Sequence, residues 1–558
     1  MVSVKGKKSA GEYFAKLLNA YGVTYVFNIE NILRITIREM EQLGIKTIMP
    51  HSENAAGYMA DGYARISGKP GVCFAQSIGS ANLAAGIHDA WLACSPVIAV
   101  TGKKPIEMQY RNSYQESDHR PMFDSVTKFN ADVYEPSQLP FLLRQCFREA
   151  VTGKPRPVHL DVLSHTGRSL EEAPLEEPFR FDAQYGQYPA IRCVAPEEDI
   201  VRAACEINRS KQPVLIAGRG AVISGAGEEF ASIARGGSIP FVTTPDAKAL
   251  VNEDHPLWRG IVGDYGMDSA NRTVSEADLV IFVGSQVNDQ TTINWSIPKA
   301  GVKIVQIDVD GAELGKNYAG CIGLCGDARE ILRQLGGHIE KSVSRKEWLS
   351  KTAMFLKQTL EEYGNLAGMP SKAIRPEALC ADLSELLPER AVLVSDTGYS
   401  AVWTSGFLRM KSSQRYIRAA GSMGWAFPAS LGVKCAAPDR PVICFTGDGG
   451  FYYHLSEMET AVRYGIKTVT IVNNNQILAQ CANDISKVFG SYEKGSRHFT
   501  FSDICLGDLA SNMGALGMRV TKREEFAGAF NTALQSDKPA IIEVMTERVT
   551  TVPASFKG

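Results

Sequence analysis

The chain has 558 residues, 44% of them hydrophobic and 22% charged, an ordinary globular composition that excludes a disordered, collagen-like or disulfide-scaffold protein. At roughly 150 residues per domain this length predicts about three or four domains, or three large ones. Lys and Arg number 59 and Asp and Glu 61, for a formal net charge of −2, and no basic block is present to draw in nucleic acid or an anionic membrane.

The N-terminal stretch MVSVKGKKSAGEYF is basic but lacks the apolar core of a signal peptide. No run approaches the roughly 18 apolar residues of a membrane span, so a cytoplasmic protein is expected. Twelve cysteines are scattered one or two per segment, the closest pair being Cys321 and Cys325 in a C-x3-C spacing with no histidine nearby. Reduced, mostly buried thiols are expected rather than a zinc site or redox pair.

In chain order, short β-branched runs bounded by Gly, Pro or Asp predict strands at 97–100, 214–217, 279–283, 303–307, 442–445 and 468–472, with amphipathic stretches between several of them. That alternation predicts an α/β chain of doubly wound parallel sheets. Two linkers divide it: an acidic, Pro-bearing segment at 166–188, and the stretch 364–377 that follows a charged amphipathic helix beyond Gly337. The expected domains are 1–185, 190–337 and 365–558. A weak echo connects the first and third blocks. Gly79-Ser80 leads through a small-residue helix to Ser95-Pro96-Val97-Ile98, and Gly421-Ser422 leads likewise to Arg440-Pro441-Val442-Ile443. Two similar outer domains around a different middle one are expected.

The most specific stretch is 441–475. A buried strand at 442–445 runs into Thr446-Gly447-Asp448-Gly449-Gly450, where glycines permit a tight turn and close approach of a ligand to backbone amides. Leu455, Met458, Ala461 and Val462 then fall on one helical face, with Gly465 as a C-cap. A second buried strand at 468–472 ends in Asn473-Asn474-Asn475. A βαβ crossover brings both strand ends to one sheet edge, where open α/β folds bind ligands. One carboxylate, one amide oxygen and a backbone carbonyl make an all-oxygen site suited to Mg²⁺ with phosphate and water completing it. Alone, GDG is a weak signal. GDGG, a helix, a strand and NNN in that order is far stronger.

These residues resemble the thiamine diphosphate (ThDP) binding motif, and the chain as a whole resembles the acetolactate synthase-like group of ThDP enzymes. The resemblance implies a pyrimidine-binding N-terminal domain, a central domain and a diphosphate-binding C-terminal domain. It implies Mg²⁺ on Asp448, the Asn475 side chain and the Ile477 carbonyl, with Gly447, Gly449 and Gly450 at the cofactor. Residues 53–65, ENAAGYMADGYAR, resemble the helix that opens with the catalytic glutamate, here Glu53. Gly421, Ser422 and Met423 resemble the segment whose Met props the cofactor in its bent form, and Gly398, Tyr399 and Ser400 sit where the family contacts the diphosphate. Alone, Glu53 would be a helix N-terminal acid and Met423 core filler; their joint order with GDG carries them. Family architecture places Glu53 and Asp448 in different subunits, so a homodimer at least, and a homotetramer by family habit, is expected.

Departures from the family bear on substrate. After Phe27 the usual G-x-P-G is replaced by Asn28-Ile29-Glu30-Asn31, so either Asn28 and Glu30 contact substrate or they merely re-form the turn. The S-G-P-G-A-T-N loop is one residue shorter and displaces Gln76 and Ile78. Gln115 survives in Tyr114-Gln115-Glu116, while His119 and Arg120 just after it are expected at the surface. Leu478-Ala479-Gln480 replaces a Gly-containing stretch, making Ala479 a pocket wall. Acetolactate synthases hold FAD with a basic R-F-D-D-R segment; here it reads Gln286-Val287-Asn288-Asp289-Gln290, so FAD is expected to be absent or poorly held. The expected activity is making or breaking a C–C bond beside a carbonyl, on 2-oxo acids, 2-hydroxy ketones or diketones. The alternatives are a 2-oxo acid or acyl-CoA decarboxylase or lyase, a cyclic-dione hydrolase, and a catalytically silent binding homologue.

Overall fold

The computed structural model describes residues 8–29, 32–164, 170–176, 178–341 and 344–557. Glu30, one of the two candidate loop contacts, lies outside the described residues. The first sheet is built from β1 (Tyr25–Asn28), β2 (Lys46–Ile48), β3 (Gly71–Gln76), β4 (Val97–Lys103), β5 (Phe129–Val133) and β6 (Val158–Leu163), all parallel, in the order β2-β1-β3-β4-β6-β5. Between its strands run α1 (Glu53–Ser67) and α2 (Gly79–Leu92). A short antiparallel pair, Lys8–Ser9 with Pro174–Leu175, ties the start of the chain to the end of this unit.

The second sheet comprises β7 (Pro213–Ala217), β8 (Phe241–Thr243), β9 (Trp258–Ile261), β10 (Leu279–Val283), β11 (Lys303–Asp308) and β12 (Ile322–Cys325), in the order β9-β8-β7-β10-β11-β12. The long helix α3 (Lys346–Gly368) leads to the third sheet. That sheet holds β13 (Val392–Ser395), β14 (Arg415–Arg418), β15 (Val442–Gly447), β16 (Val469–Asn474), β17 (Leu516–Val520) and β18 (Ala540–Met545), in the order β14-β13-β15-β16-β18-β17. Its helices include α4 (Ala426–Ala436), α5 (Asp448–Tyr453), α6 (Glu457–Arg463) and α7 (Ala479–Phe489).

Numbered within their own domains, the two outer sheets share one strand order, 2-1-3-4-6-5, while the middle sheet runs 3-2-1-4-5-6. The echo between the outer blocks of the sequence is therefore a shared topology. The predicted strands coincide with observed ones, save that Thr468 falls one residue before β16, because strands buried on both faces are near-continuous apolar runs. Several extend further, and between β15 and β16 Thr446 pairs with Val472 and Gly447 with Asn473, so the ladder continues past the apolar residues into the polar ends. The helix expected across 455–462 begins earlier and breaks at 454–456 into α5 and α6. Gly465 caps it as expected, with φ +61 and Ile466 N–H reaching the Ala461 carbonyl at 2.8 Å. Of the twelve cysteines six are buried, so the thiols are less buried than expected.

One hydrophobic cluster runs from the first sheet to the third, through Phe27, Met59, Ala75, Trp425, Phe427, Val394 and Met458. Burying each large apolar side chain contributes about 1.5–3 kcal/mol, so the outer domains are held together by a continuous core. The seam is made of small residues. A Cβ on Gly62 would stand 2.2 Å from the Ala429 carbonyl oxygen, and one on Gly432 would stand 1.9 Å from that of Met59. The backbones of α1 and α4 thus approach as closely as glycine alone permits.

Candidate active site

Strand order reverses between β1 and β3 in the first sheet and between β13 and β15 in the third, and ligands bind at such crevices beyond the carboxyl ends of the strands. In the third domain the crevice is lined by the ends of β13 and β15. Asp396 follows β13 and is 1% exposed. Its Oδ1 accepts from the Thr397 and Gly424 amides at 2.8 and 3.0 Å, and its Oδ2 from Thr446 Oγ1 at 3.0 Å. Burial pushes its carboxyl up to about 6 despite these donors. Gly450 has no room for a side chain, since a Cβ would lie 2.9 Å from Asp396 Oδ2, and Gly424, at φ +84, packs on Tyr453 and the Gly450 carbonyl.

Asp448 opens α5 and is 3% exposed. Its Oδ1 accepts from Gly449 N–H at 2.8 Å, while its Oδ2 is buried without a partner. Burial pushes this carboxyl up to about 6, against the pull of the Gly449 and Gln476 amides. The Gln476 contact brings the asparagine loop beside Asp448. The three asparagines divide the work. Asn473 accepts from Thr546 Oγ1 at 2.6 Å, Asn474 donates to buried Glu543 at 2.7 Å, and Asn475 closes its own turn by accepting from Ile477 N–H at 3.1 Å. A buried, unpartnered carboxylate oxygen beside the asparagine loop fits a hard cation whose shell is completed by amide, phosphate and water oxygens. No cluster of three His, Cys, Asp or Glu among the described residues offers a metal site without such help.

Around this pair, Gly398 adopts φ +64 and Ser400 is buried, with its Oγ 3.7 Å from where a Cβ on Gly447 would stand. The Tyr399 hydroxyl is turned away, donating to the Thr550 carbonyl at 2.9 Å. Gly449 meets Leu478, and Ala479 is buried at the start of α7. Gly421, Ser422 and the half-buried Met423 lie on the loop before α4, and the Tyr58 hydroxyl bonds Ser422.

The other candidates gather at the edge of the first sheet. Glu53 begins α1, capped by Ser52, and its Oε2 accepts from Asn82 Nδ2 at 3.1 Å. Gly79 lies close beneath it: a Cβ there would stand 2.4 Å from Glu53 Oε1, so any larger residue would push the glutamate aside. Asn28 ends β1 and Gln76 ends β3, on the two sides of the crevice; Asn28 Oδ1 and Gln76 Oε1 are buried and unpartnered. The Gln115 carbonyl accepts from Ser77 Oγ, which fixes the 113–119 loop over this edge. His119 is not at the surface. It is fully buried, with Nδ1 at 3.1 Å from Asp161 and 3.2 Å from Thr101, whereas Arg120 is exposed as expected. No hydrogen bond among the described residues joins Glu53 to Asp448 or Asn475.

A third cleft opens at the switch point of the middle sheet, lined by Gly218, Arg219, Gln286, Asp308 and Arg418. Its glycines serve strand-end packing, since Cβ atoms on Gly218 and Gly220 would lie 2.4 and 2.7 Å from Gly284. Its cations are engaged: Arg219 by the Ala93 carbonyl, Arg418 by Asp246 at 3.0 Å, Lys154 by Glu313 at 2.9 Å.

Residues 8–122, 200–335 and 396–544 match, in turn, the N-terminal TPP binding domain, the central domain and the C-terminal TPP binding domain of thiamine pyrophosphate enzymes. The chain is 32% identical to a probable acetolactate synthase large subunit of Methanocaldococcus jannaschii, over 97% of this chain and 92% of the relative. The chain belongs to the ThDP enzymes of the acetolactate synthase-like family. An acetolactate synthase of Arthrospira platensis is 31% identical, over 95% of this chain and 93% of its own length. The isozyme 1 large subunit of Escherichia coli is 28% identical over 97% and 94%. No helix among the described residues is long and apolar enough to cross a membrane.

Asp396 escaped the reading of the sequence, although Asp396-Thr397-Gly398 at a strand end is the same Asp-x-Gly type of turn as GDG. Asp89 escaped it too, because the 420–422 amides that converge on it lie more than three hundred residues away and no local pattern marks it.

Proposed function

We propose that the chain is a ThDP- and Mg²⁺-dependent carboligase or lyase, acting beside a carbonyl on 2-oxo acids, 2-hydroxy ketones or diketones. The observation that carries this is the buried, unpartnered Asp448 Oδ2 beside the Asn475 turn. Asp448, the Asn475 side chain and the Ile477 carbonyl would hold Mg²⁺, and Gly398, Ser400, Gly421, Gly447, Gly449 and Gly450 would line the diphosphate. When bound, ThDP supplies a carbon nucleophile at its thiazolium C2. Glu53 would hold a proton against the cofactor's pyrimidine, in a site whose exclusion of water strengthens that hydrogen bond. Met423 would support the cofactor's bend. Asn28, Gln76, Gln115 and Ala479 would form the substrate walls. The carboxamides of Asn28 and Gln76 favour a substrate with polar groups flanking the carbonyl, because a buried amide oxygen left unpaired costs about 1–3 kcal/mol. The assembly would be at least a homodimer, extending to a tetramer, and we propose no role for flavin.

The test is to add ThDP and Mg²⁺ and record circular dichroism of the cofactor's imino tautomer, then screen 2-oxo acids, acyloins and diketones with mass-spectrometric detection of products. A tautomer band and a ligated or cleaved product are expected from the natural chain. Both should fall at least 100-fold in Glu53→Gln. Binding without any product from the panel would favour a silent homologue instead.

A further inference from the structure

The loop that carries Met423 is pinned from two sides by carboxylates, and one of them comes from the other outer domain. Asp89, on α2, is fully buried. Its Oδ1 accepts from Ala420 N–H at 2.9 Å, and its Oδ2 accepts from Gly421 N–H at 3.0 Å and Ser422 N–H at 2.9 Å. Three successive amides can converge on one carboxylate only in a particular curled backbone, an anion-binding concavity whose anion here is a side chain. Two residues further on, Gly424 N–H donates to Asp396. Met423 lies between these two anchors.

Asp89 is itself held in place. Arg65 on α1 donates from Nη2 to Asp89 Oδ1 at 2.8 Å, from Nε to Asp61 Oδ1 at 2.8 Å, and from Nη1 to the Arg418 carbonyl at 2.7 Å. Trp425 Nε1–H donates to Asp61 at 3.0 Å, and the Arg65 guanidinium lies 4.4 Å from the Trp425 ring centroid. Every charged member is at most 1% exposed. A buried ion network of this kind is poor value as glue, because desolvation offsets much of the attraction and apolar residues would serve the core as well. What it supplies is direction. Guanidinium forks and carboxylates accept few geometries, so α1, α2 and the 420–425 loop can assemble in one way.

We propose that Asp89, held by Arg65 and Asp61, is a positioning residue that sets the conformation of the 420–422 backbone and so places Met423 against the cofactor. The proposal rests on the assignment of Gly421–Met423 to ThDP. Asp89→Asn is the sharp test: a carboxamide presents an oxygen on one side only, so its NH2 must face at least one of the three amides or Arg65. ThDP affinity, read by fluorescence quenching, is expected to fall about tenfold or more. The tautomer band at saturating ThDP should weaken, and amide hydrogen exchange should accelerate at 420–422 while the rest of the chain keeps its protection. Tyr464→Phe removes a different bond between the same domains, Tyr464 Oη to Met49 N–H at 3.1 Å, and is expected to leave all three readouts unchanged. Should Asp89→Asn not fold, Trp425→Phe cuts the network at Asp61, with an expected loss of about threefold. Natural ThDP affinity and an unchanged tautomer band in the folded variant would overturn the positioning role alone. Faster exchange spread over the whole chain, with affinity falling in proportion in both variants, would reduce Asp89 to a structural residue and overturn it too. A natural chain that binds no ThDP would overturn the functional assignment and the proposal together.

Discussion

At the scale of single residues, the site shows how identical side chains are given different work by their surroundings. Asn473 bonds Thr546, Asn474 bonds Glu543, and Asn475 closes its own turn onto Ile477, beside the Gln476 amide that reaches Asp448. His454 shows the same dependence on environment. It is 3% exposed, its Nε2 has no partner, and its ring meets Tyr58 edge-on at 5.5 Å. Burial lowers its pKa from the ordinary 6.5 to about 4. Above pH 6.5 the imidazole is neutral in both the folded and the unfolded chain, and stability does not depend on it. As pH falls from 6.5 towards 4 the unfolded chain takes up the proton first, so this residue subtracts stability, by about 1.4 kcal/mol per pH unit at most. Below about 4 no further change arises from it. Replacing His454 by Phe keeps the edge contact with Tyr58 and removes the proton site. Urea unfolding of the two proteins at pH 7, 6 and 5 should therefore show the variant gaining on the natural chain as the pH falls. A constant difference across that range would mean that His454 takes up its proton at the same pH in the folded and the unfolded chain.

At the scale of elements, α1 is defined by what it touches more than by its own propensity. Glycine twice in a helix interior costs about 1 kcal/mol each relative to alanine, yet Gly57 and Gly62 are both required. A Cβ on Gly57 would stand 2.9 Å from Gly86 of α2, and Gly62 faces the Ala429 carbonyl of α4. Since the obstructing atoms are backbone, no side-chain rotation relieves them. Gly432→Ala, whose new methyl would stand 1.9 Å from the Met59 carbonyl oxygen, is expected to cost roughly 1–3 kcal/mol or more, read as a lower urea midpoint with an unchanged slope. Gly465→Ala, where nothing lies within 4 Å, isolates the cost of positive φ from that of crowding. How much of this was legible depends on range. The buried strands were, because apolar runs bounded by Gly and Asp are local signals. The GDGG and NNN ends were, because the turn chemistry is written in adjacent residues. The break between α5 and α6 was not: Leu455, Met458 and Ala461 keep helical spacing across it, while His454 leaves the helix at φ −133. His119 was misplaced for a similar reason. Its neighbours Asp118 and Arg120 are polar, and only the distant pairing of β4 with β6 brings Thr101 and Asp161 to its ring.

At the scale of the whole molecule, two domains of one topology present their switch crevices separately: Glu53 at the edge of the first sheet, Asp448 and Asn475 at the edge of the third. Within the chain the two sheets are joined through α1 and α4, and Glu53 contacts Gly79 and Asn82 of its own domain. A closed dimer, in which the same surfaces recur on both subunits, would bring the first domain of one chain to the third domain of the other. That arrangement has a consequence no single variant reveals. Glu53→Gln and Asp448→Ala chains, each expected to be nearly inactive alone, can be co-expressed with different tags and the mixed dimer purified through both. If each site draws Glu53 from one subunit and Asp448 from the other, the mixed dimer holds one site with both residues intact and one with both replaced, and it should recover about half of the natural activity. If each chain builds its own site, every site in the mixed dimer carries one defect and activity stays at the level of the parents. Because both variants leave the α1–α4 seam untouched, recovery cannot come from restored folding, and its size counts intact sites directly.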